Sequence, residues 1–336
     1  HYYGGIKKYQ WVTLPLAIHG VVAKKNGEVV DIVIGEEETD PIFCVTDLLI
    51  HLAGEQMDKK AAKVVEGEQL DILVGSRPLA KEEKEPVKKM VLSILKKKYD
   101  IEEEDFLSAE LEIVPAGKAR EAGLDASMIM AYGQDDRVCA YTSAAAMFDM
   151  GEVTRTACCL LVDKEEIGSV GATGMQSKFF ENTVAELMDA MGQYSELKLK
   201  RCLAGSYMLS SDVSAAYDPN FASAFEKKNA AYFGRGVVFN KFTGARGKSG
   251  SNDANAEYIG KLRKIMDDNG VAFQTAELGK VDIGGGGTIA YILSLYGMNV
   301  IDSGVAVLNM HAPWEITSKA DVYEAYKSYK AFLKDA

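Results

Sequence analysis

Apolar and polar positions alternate through much of the first hundred residues, and a period of two predicts strands. Residues 10–16 alternate around Trp11 and Val12. Residues 21–25 and 28–34 flank Asn26-Gly27, a dipeptide suited to a tight hairpin turn. Residues 70–74 are a further strand candidate, and 46–52, which include His51, read as a short apolar helix or loop. The pattern over 81–99 predicts an amphipathic helix with Pro86 near its start, where a missing N–H costs little. The run Glu102-Glu103-Glu104-Asp105 reads as a solvated turn and marks a domain edge.

Beyond residue 108, β-rich apolar runs alternate with longer helical patterns. The spacing predicts strands over 111–114, 128–132, 156–162, 207–211, 236–239 and 300–307. It predicts helices near 138–149, 179–194, 254–268 and 288–296, with Asn269-Gly270 ending one of them. Such alternation indicates a layered α/β domain with a mostly parallel sheet over 108–336, after a β-rich domain over 1–107. Sites in layered α/β folds lie in the loops at the carboxyl ends of strands. No internal repeat or low-complexity tract is present.

Composition narrows the classes. Hydrophobic residues make up 47% of the 336 positions and charged residues 26%, which excludes disorder, collagen and coiled coil. Apolar runs such as 157–162 fall far short of the roughly 18 residues of a membrane helix. With 38 basic and 49 acidic side chains the net charge is -11, which argues against nucleic acid or an anionic membrane as partner. Cys44, Cys139, Cys158, Cys159 and Cys202 include no C-x-x-C pair, so buried, reduced thiols in a cytoplasmic protein are expected. No signal peptide is visible, and a start at His1-Tyr2-Tyr3 in strand-like sequence leads us to expect residues upstream.

Candidate chemistry gathers at predicted strand ends. Asp135-Asp136-Arg137 follows 128–132, Glu165-Glu166 follows 156–162, Asp212 follows 207–211, and His311 follows the last strand. Carboxylates and an imidazole converging on one sheet edge suit Zn²⁺. Singly, each has a plainer reading: a helix cap, solvated first-turn acids, a turn aspartate, a structural histidine. Adjacent glutamates diverge, so one can bind metal while the other remains a base. The glycine run 284–287 before Thr288 lacks dinucleotide-binding spacing and reads as a substrate-side loop, with Gly286, Gly287 and Thr288 as candidates. Residues 244–251 lack P-loop spacing and read as a flexible loop ending in Ser251, an N-cap for the next helix.

Taken in order, Tyr3-Gly4-Gly5, Ile50-His51-Leu52, Asp135-Asp136, Asp163-x-Glu165-Glu166-x-Gly168-Ser169, Ser211-Asp212, Pro219-Asn220, Gly287-Thr288-Ile289 and Met310-His311 resemble the aspartyl aminopeptidase and vacuolar aminopeptidase I family. The resemblance spans essentially the whole chain. It implies a three-layer zinc-exopeptidase-like catalytic domain, a β-rich dimerisation domain, and a dodecamer built from dimers. It also implies two zinc ions, with Asp135 bridging them, Glu166 and His311 serving one, Asp212 the other, and Glu165 as general base. His51 would reach the active site of a neighbouring subunit; a buried helix histidine within its own domain is the alternative. The implied activity is removal of the N-terminal residue of peptides, with an acidic preference for which Lys241 is the candidate cation. A surface role for Lys241 is the alternative. A related deacylase, a neutral aminopeptidase and an inactive oligomeric shell are the competing functions.

Three departures bear on those expectations. The family's remaining ligand, a His in an H-x-D motif before Tyr-Gly-Gly, has no counterpart in these residues, so weak binding at the Asp212 position is expected. The family's H-A-x-H-P-N is replaced by Ala215-Ala216-Tyr217-Asp218-Pro219-Asn220, and the bridging Asp is followed by Asp136 rather than Asn.

Overall fold

The computed structural model describes residues 1–244 and 249–336. The chain divides into two compact units: one of His1–Tyr2 and Ile6–Ala119, the other of Tyr3–Gly5 and Arg120–Ala336.

The first unit holds an antiparallel sheet in the order β2-β1-β3, with β1 Leu16–Ala23, β2 Val29–Ile34 and β3 Ala109–Pro115. The Asn26-Gly27 hairpin forms as expected. Lys24 N–H donates to Glu28 O at 2.7 Å, and Gly27 takes a φ of +89°, open to glycine without strain. Short α1 (Gly54–Met57) precedes α2 (Pro86–Tyr99), which starts at its proline rather than at residue 81. Val22, Ile32, Ile34 and Ile101 form the core. Residues 10–16 and 70–74 do not become strands: Val12 and Ile72 make single bridges to Val45, and β1 begins only at Leu16. Because β3 pairs with β1, the unit boundary falls after Ala119 instead of after residue 107.

The second unit is mixed α/β. One sheet has the order β6-β10-β8-β9: β6 Tyr207–Ser210, β8 Val237–Asn240, β9 Phe273–Thr275 and β10 Asn299–Gly304. The other runs β4-β5-β12-β11-β7: β4 Arg120–Ala122, β5 Met128–Ala131, β7 Ser214–Ala215, β11 Ala306–Leu308 and β12 Glu315–Ser318. The expected mostly parallel sheet is not found. Pairs β6/β10, β8/β9 and β7/β11 are parallel, whereas β8/β10, β11/β12, β5/β12 and β4/β5 are antiparallel. Short returns between β4 and β5 and between β11 and β12 leave no room for a crossover helix, so these neighbours turn back on themselves.

The helices are α3 (Gln134–Phe148), α4 (Phe179–Ala190), α5 (Glu196–Ala204), α6 (Ala256–Asp268), α7 (Ala290–Ser294) and α8 (Lys319–Asp335). Alternation along the strands sends side chains to two cores. Leu209 and Ile301 pack with α3, α6 and α8; Met208 and Val300 pack with α5 and α7. A helical layer thus covers each face. The strand expected at 300–307 is interrupted at Val305, and its halves join different sheets. Residues 156–162 form no strand, and Asn255 rather than Ser251 caps α6. Residues 245–248 of the expected 244–251 loop lie outside the described residues. Of the cysteines only Cys139 is buried, while Cys158 and Cys202 are exposed; none is paired. Among the described residues no helix is long and apolar enough to cross a membrane.

Asp321, in the first turn of α8, is fully buried and accepts the N–H groups of Gly234 at 2.8 Å and Gly236 at 2.7 Å, just before β8. Replacing a buried acceptor leaves its donors unsatisfied. Asp321→Ala is therefore expected to cost about 3 kcal/mol, read from urea unfolding, with Asp321→Asn costing less because it keeps one acceptor. Equal stability of Asp321→Ala and wild type would show that these bonds do not hold α8 to the sheet.

Candidate metal centre

Three strand ends and one loop supply the chemistry. Leaving β5, the chain turns through Gly133 at φ +69° and enters α3 at Gln134. Asp135 and Asp136, joined by a cis peptide, follow at once with non-helical backbone. Asp212 lies between β6 and β7. His311 follows β11 at φ +64°, in the return to β12. Glu165 and Glu166 sit on a single 3₁₀ turn between Lys164 at φ +66° and Gly168 at φ +87°. The fourth candidate segment is therefore a loop rather than the strand end expected from 156–162.

Asp135, Glu166 and His311 offer ligand atoms all within 4.8 Å of one another. His311 Nε2 lies 3.3 Å from Asp135 Oδ2 and 3.7 Å from Glu166 Oε1. His311 Nδ1 is 2.9 Å from the carbonyl of Gly5, which places a proton on Nδ1 and leaves Nε2 as the ring atom able to bind a metal. Tyr3-Gly4-Gly5 explains itself here. A Cβ on Gly4 would stand 2.9 Å from Glu166 Oε2, and one on Gly5 3.2 Å from His311 Nδ1.

A second group, Asp135, Asp136 and Asp212, meets the same 4.8 Å limit. Asp136 Oδ1 accepts the N–H of Val213 at 3.0 Å. Burial first, and then neighbouring carboxylates, pushes both the Asp136 and Asp212 carboxyls up. Burial and the charges of Glu166 and Asp135 raise Glu165 to about 7, and the Asp135 carboxylate beside His311 raises the imidazole to about 9.

A nitrogen and two carboxylates are a zinc donor set, and crowded carboxylates next to them invite positive charge. The residues present fit zinc at the His311 position. The Asp212 position offers carboxylates alone.

Asp135, Glu165, Glu166, Asp212 and His311 line a cleft of about 870 Å³, with Gly286, Gly287 and Thr288 on its wall. Lys241 is not brought there: its ammonium pairs with Asp253 and lies 4.0 Å from the centroid of the Phe242 ring. Lys280 is the lysine that lines the cleft among the described residues. Tyr217 packs against Phe225 and Tyr232, and Asp218 caps the turn at Pro219, so the segment replacing H-A-x-H-P-N is built into the fold. His51 is exposed on the 3₁₀ turn Ile50–Leu52 of the first unit, which removes the reading of it as a buried structural histidine.

Sequence reasoning noted Asp136 only as a departure from a pattern. It missed Glu315, which accepts N–H groups of Asp135 and His311 and is raised to about 7 by burial, and Asp302, buried on β10 and raised to about 6. Neither has a motif around it, and only the strand pairing brings them to the site.

A profile of the aminopeptidase I zinc metalloprotease (M18) family matches residues 1–333. A probable M18 family aminopeptidase 1 of Clostridium acetobutylicum is 66% identical over 336 residues, covering 100% of this chain and 72% of its own length. The crystal structure of an M18-family aminopeptidase from Thermotoga maritima has a TM-score of 0.97 and 45% identity, over 100% of this chain and 74% of that one. The mApe1 dodecamer of Saccharomyces cerevisiae shares the fold at 22% identity and a TM-score of 0.68, over 98% of this chain and 71% of that one. The expected resemblance holds from end to end, and the chain belongs to the aminopeptidase I zinc metalloprotease (M18) family.

Proposed function

We propose that this chain removes N-terminal residues from peptides in the cleft, with Asp135, Glu166 and His311 holding zinc and Glu165 acting as general base. The observation that carries the reading is the Asp135, Glu166 and His311 triplet beside Glu165 in one cleft. A second zinc would be held by Asp135 and Asp212. Bound zinc supplies Lewis acidity, which polarises a carbonyl and acidifies water. Glu165 belongs to neither donor group, so its carboxylate is free to take a proton from the attacking water and hand it to the leaving amine. Gly286 and Gly287, without side chains, let a peptide backbone approach the wall closely.

The first residue accepted by this cleft is proposed to be neutral rather than acidic. Phe242, Leu278, Val281, Tyr291 and Met310 line the cleft against a single lysine among the described residues, Lys280, and Lys241, the candidate for an acidic side chain, is paired with Asp253. Assembly as a dodecamer built from dimers and a cytoplasmic location belong to the same proposal; the unpaired cysteines are in keeping with a reducing compartment. His51 is proposed to act across a subunit interface. Its neighbours Leu49, Ile50 and Leu52 are 58%, 61% and 70% exposed, an apolar surface suited to a partner copy.

Glu165→Gln is expected to lower turnover of leucyl-anilide by about 10²–10⁴-fold while zinc stays bound. Wild type should cleave leucyl-anilide faster than aspartyl- or glutamyl-anilide. Near-normal turnover in the variant would remove Glu165 as the base, and loss of zinc would mean that the two glutamates exchange roles. For His51, subunit exchange between inactive His51→Ala and inactive Glu165→Gln proteins should restore part of the activity. Confirmed exchange without recovery would contradict a role in trans.

A further inference from the structure

Glu315 offers no atom to either donor group, yet the two chain segments carrying Asp135 and His311 both hang on its carboxylate. Oε2 accepts the N–H of Asp135 at 3.0 Å, and Oε1 accepts the N–H of His311 at 2.8 Å. The bond to His311 could be taken for the closing of a local turn, but the bond to Asp135 spans 180 residues. Glu315 is 2% exposed and opens β12 opposite Ala131, the last residue of β5. It therefore stands at the corner where the chain leaves β5, turns at Gly133 and enters α3. The backbone of Asp135 is non-helical at this corner, so its N–H has no helical acceptor, and Glu315 supplies one from another strand. Its other oxygen engages His311, a non-glycine residue at φ +64°, a backbone conformation that L side chains seldom adopt.

We propose that Glu315 is a positioning residue of the metal centre: by accepting both N–H groups at once, it fixes the spacing of Asp135 and His311 before a cation arrives. The proposal rests on reading Asp135, Glu166 and His311 as zinc ligands. One carboxylate ties the β5–α3 corner to the β11–β12 return, so a cation meets two placed ligands instead of ordering two loops as it binds. A glutamate that merely held the fold together would, on removal, lower stability and leave zinc affinity unchanged.

Zinc affinity measured by competition with a chromogenic chelator, together with the thermal midpoint of the zinc-free protein, separates these roles. Glu315→Gln keeps one acceptor and turns an NH₂ toward the other N–H. It is expected to weaken zinc binding about 10–100-fold with the zinc-free midpoint little changed, and its activity should return as free zinc is raised. A folded Glu315→Gln protein that binds zinc within about twofold of wild type would overturn the proposal. Should that variant not fold, amide exchange in the zinc-free wild type decides. Protection of the Asp135 and His311 amides before zinc is added supports positioning, and exchange as fast as in open loops until zinc is added overturns it. Failure of wild type to bind zinc at all would overturn the metal reading instead, and the exchange result would still report whether Glu315 holds the two segments.

Discussion

Asp135, Asp136 and Asp212 are half-buried and bring ligand oxygens within 4.8 Å of one another. Two unit charges about 4 Å apart repel by about 4 kcal/mol even at an effective dielectric constant of 20. A fold cannot hold such a cluster ionised without positive charge among or beside it. Burial and the neighbouring carboxylates push the Asp136 and Asp212 carboxyls up, which favours their neutral forms. A bound divalent cation would answer the repulsion more fully, and His311 with Asp135 and Glu166 is a donor set that suits zinc. Much else near the site follows from the need to keep these groups close.

The means are backbone contacts more than side-chain packing. Gly304, at the end of β10, lies so near the loop carrying Asp212 that a Cβ there would meet its carbonyl oxygen at 1.6 Å. Gly4 and Gly5 let the chain run against Glu166 and His311, and the Gly5 carbonyl sets the imidazole tautomer. Glu315 takes the N–H groups of Asp135 and His311. The helical layers on either face of β6 and β10 give these loops a fixed base, with Ile301 packed to one side and Val300 to the other.

Much of this could be read from the residues. The Asn26-Gly27 hairpin, β5, β6, β8 and α6 fall where their patterns place them, and Asp135, Glu166 and His311 do come together as the family resemblance implies. What escaped has physical reasons. The stripe of α8 buries Asp321, Ala325, Ser328 and Ala331 beside Tyr329, small and polar residues that give little apolar signal. Residues 156–162 are apolar enough for a strand, but strand formation also needs a partner edge, and composition cannot report one. Sheet direction depended on loop lengths around β4, β5, β11 and β12 that strand patterns do not weigh. Lys241 has the right chemistry for an acidic side chain, and Asp253, twelve residues on, already takes it. Glu315 acts on Asp135 through 180 residues of intervening chain, a relation that only the register of β5 with β12 reveals.

The most direct measurement is anomalous diffraction at the zinc absorption edge from crystals of this chain grown with zinc. The account predicts a peak about 2.0–2.2 Å from His311 Nε2 and from carboxylate oxygens of Asp135 and Glu166. Density showing these three side chains in place with no anomalous peak among them, at zinc concentrations that saturate binding in solution, would contradict it.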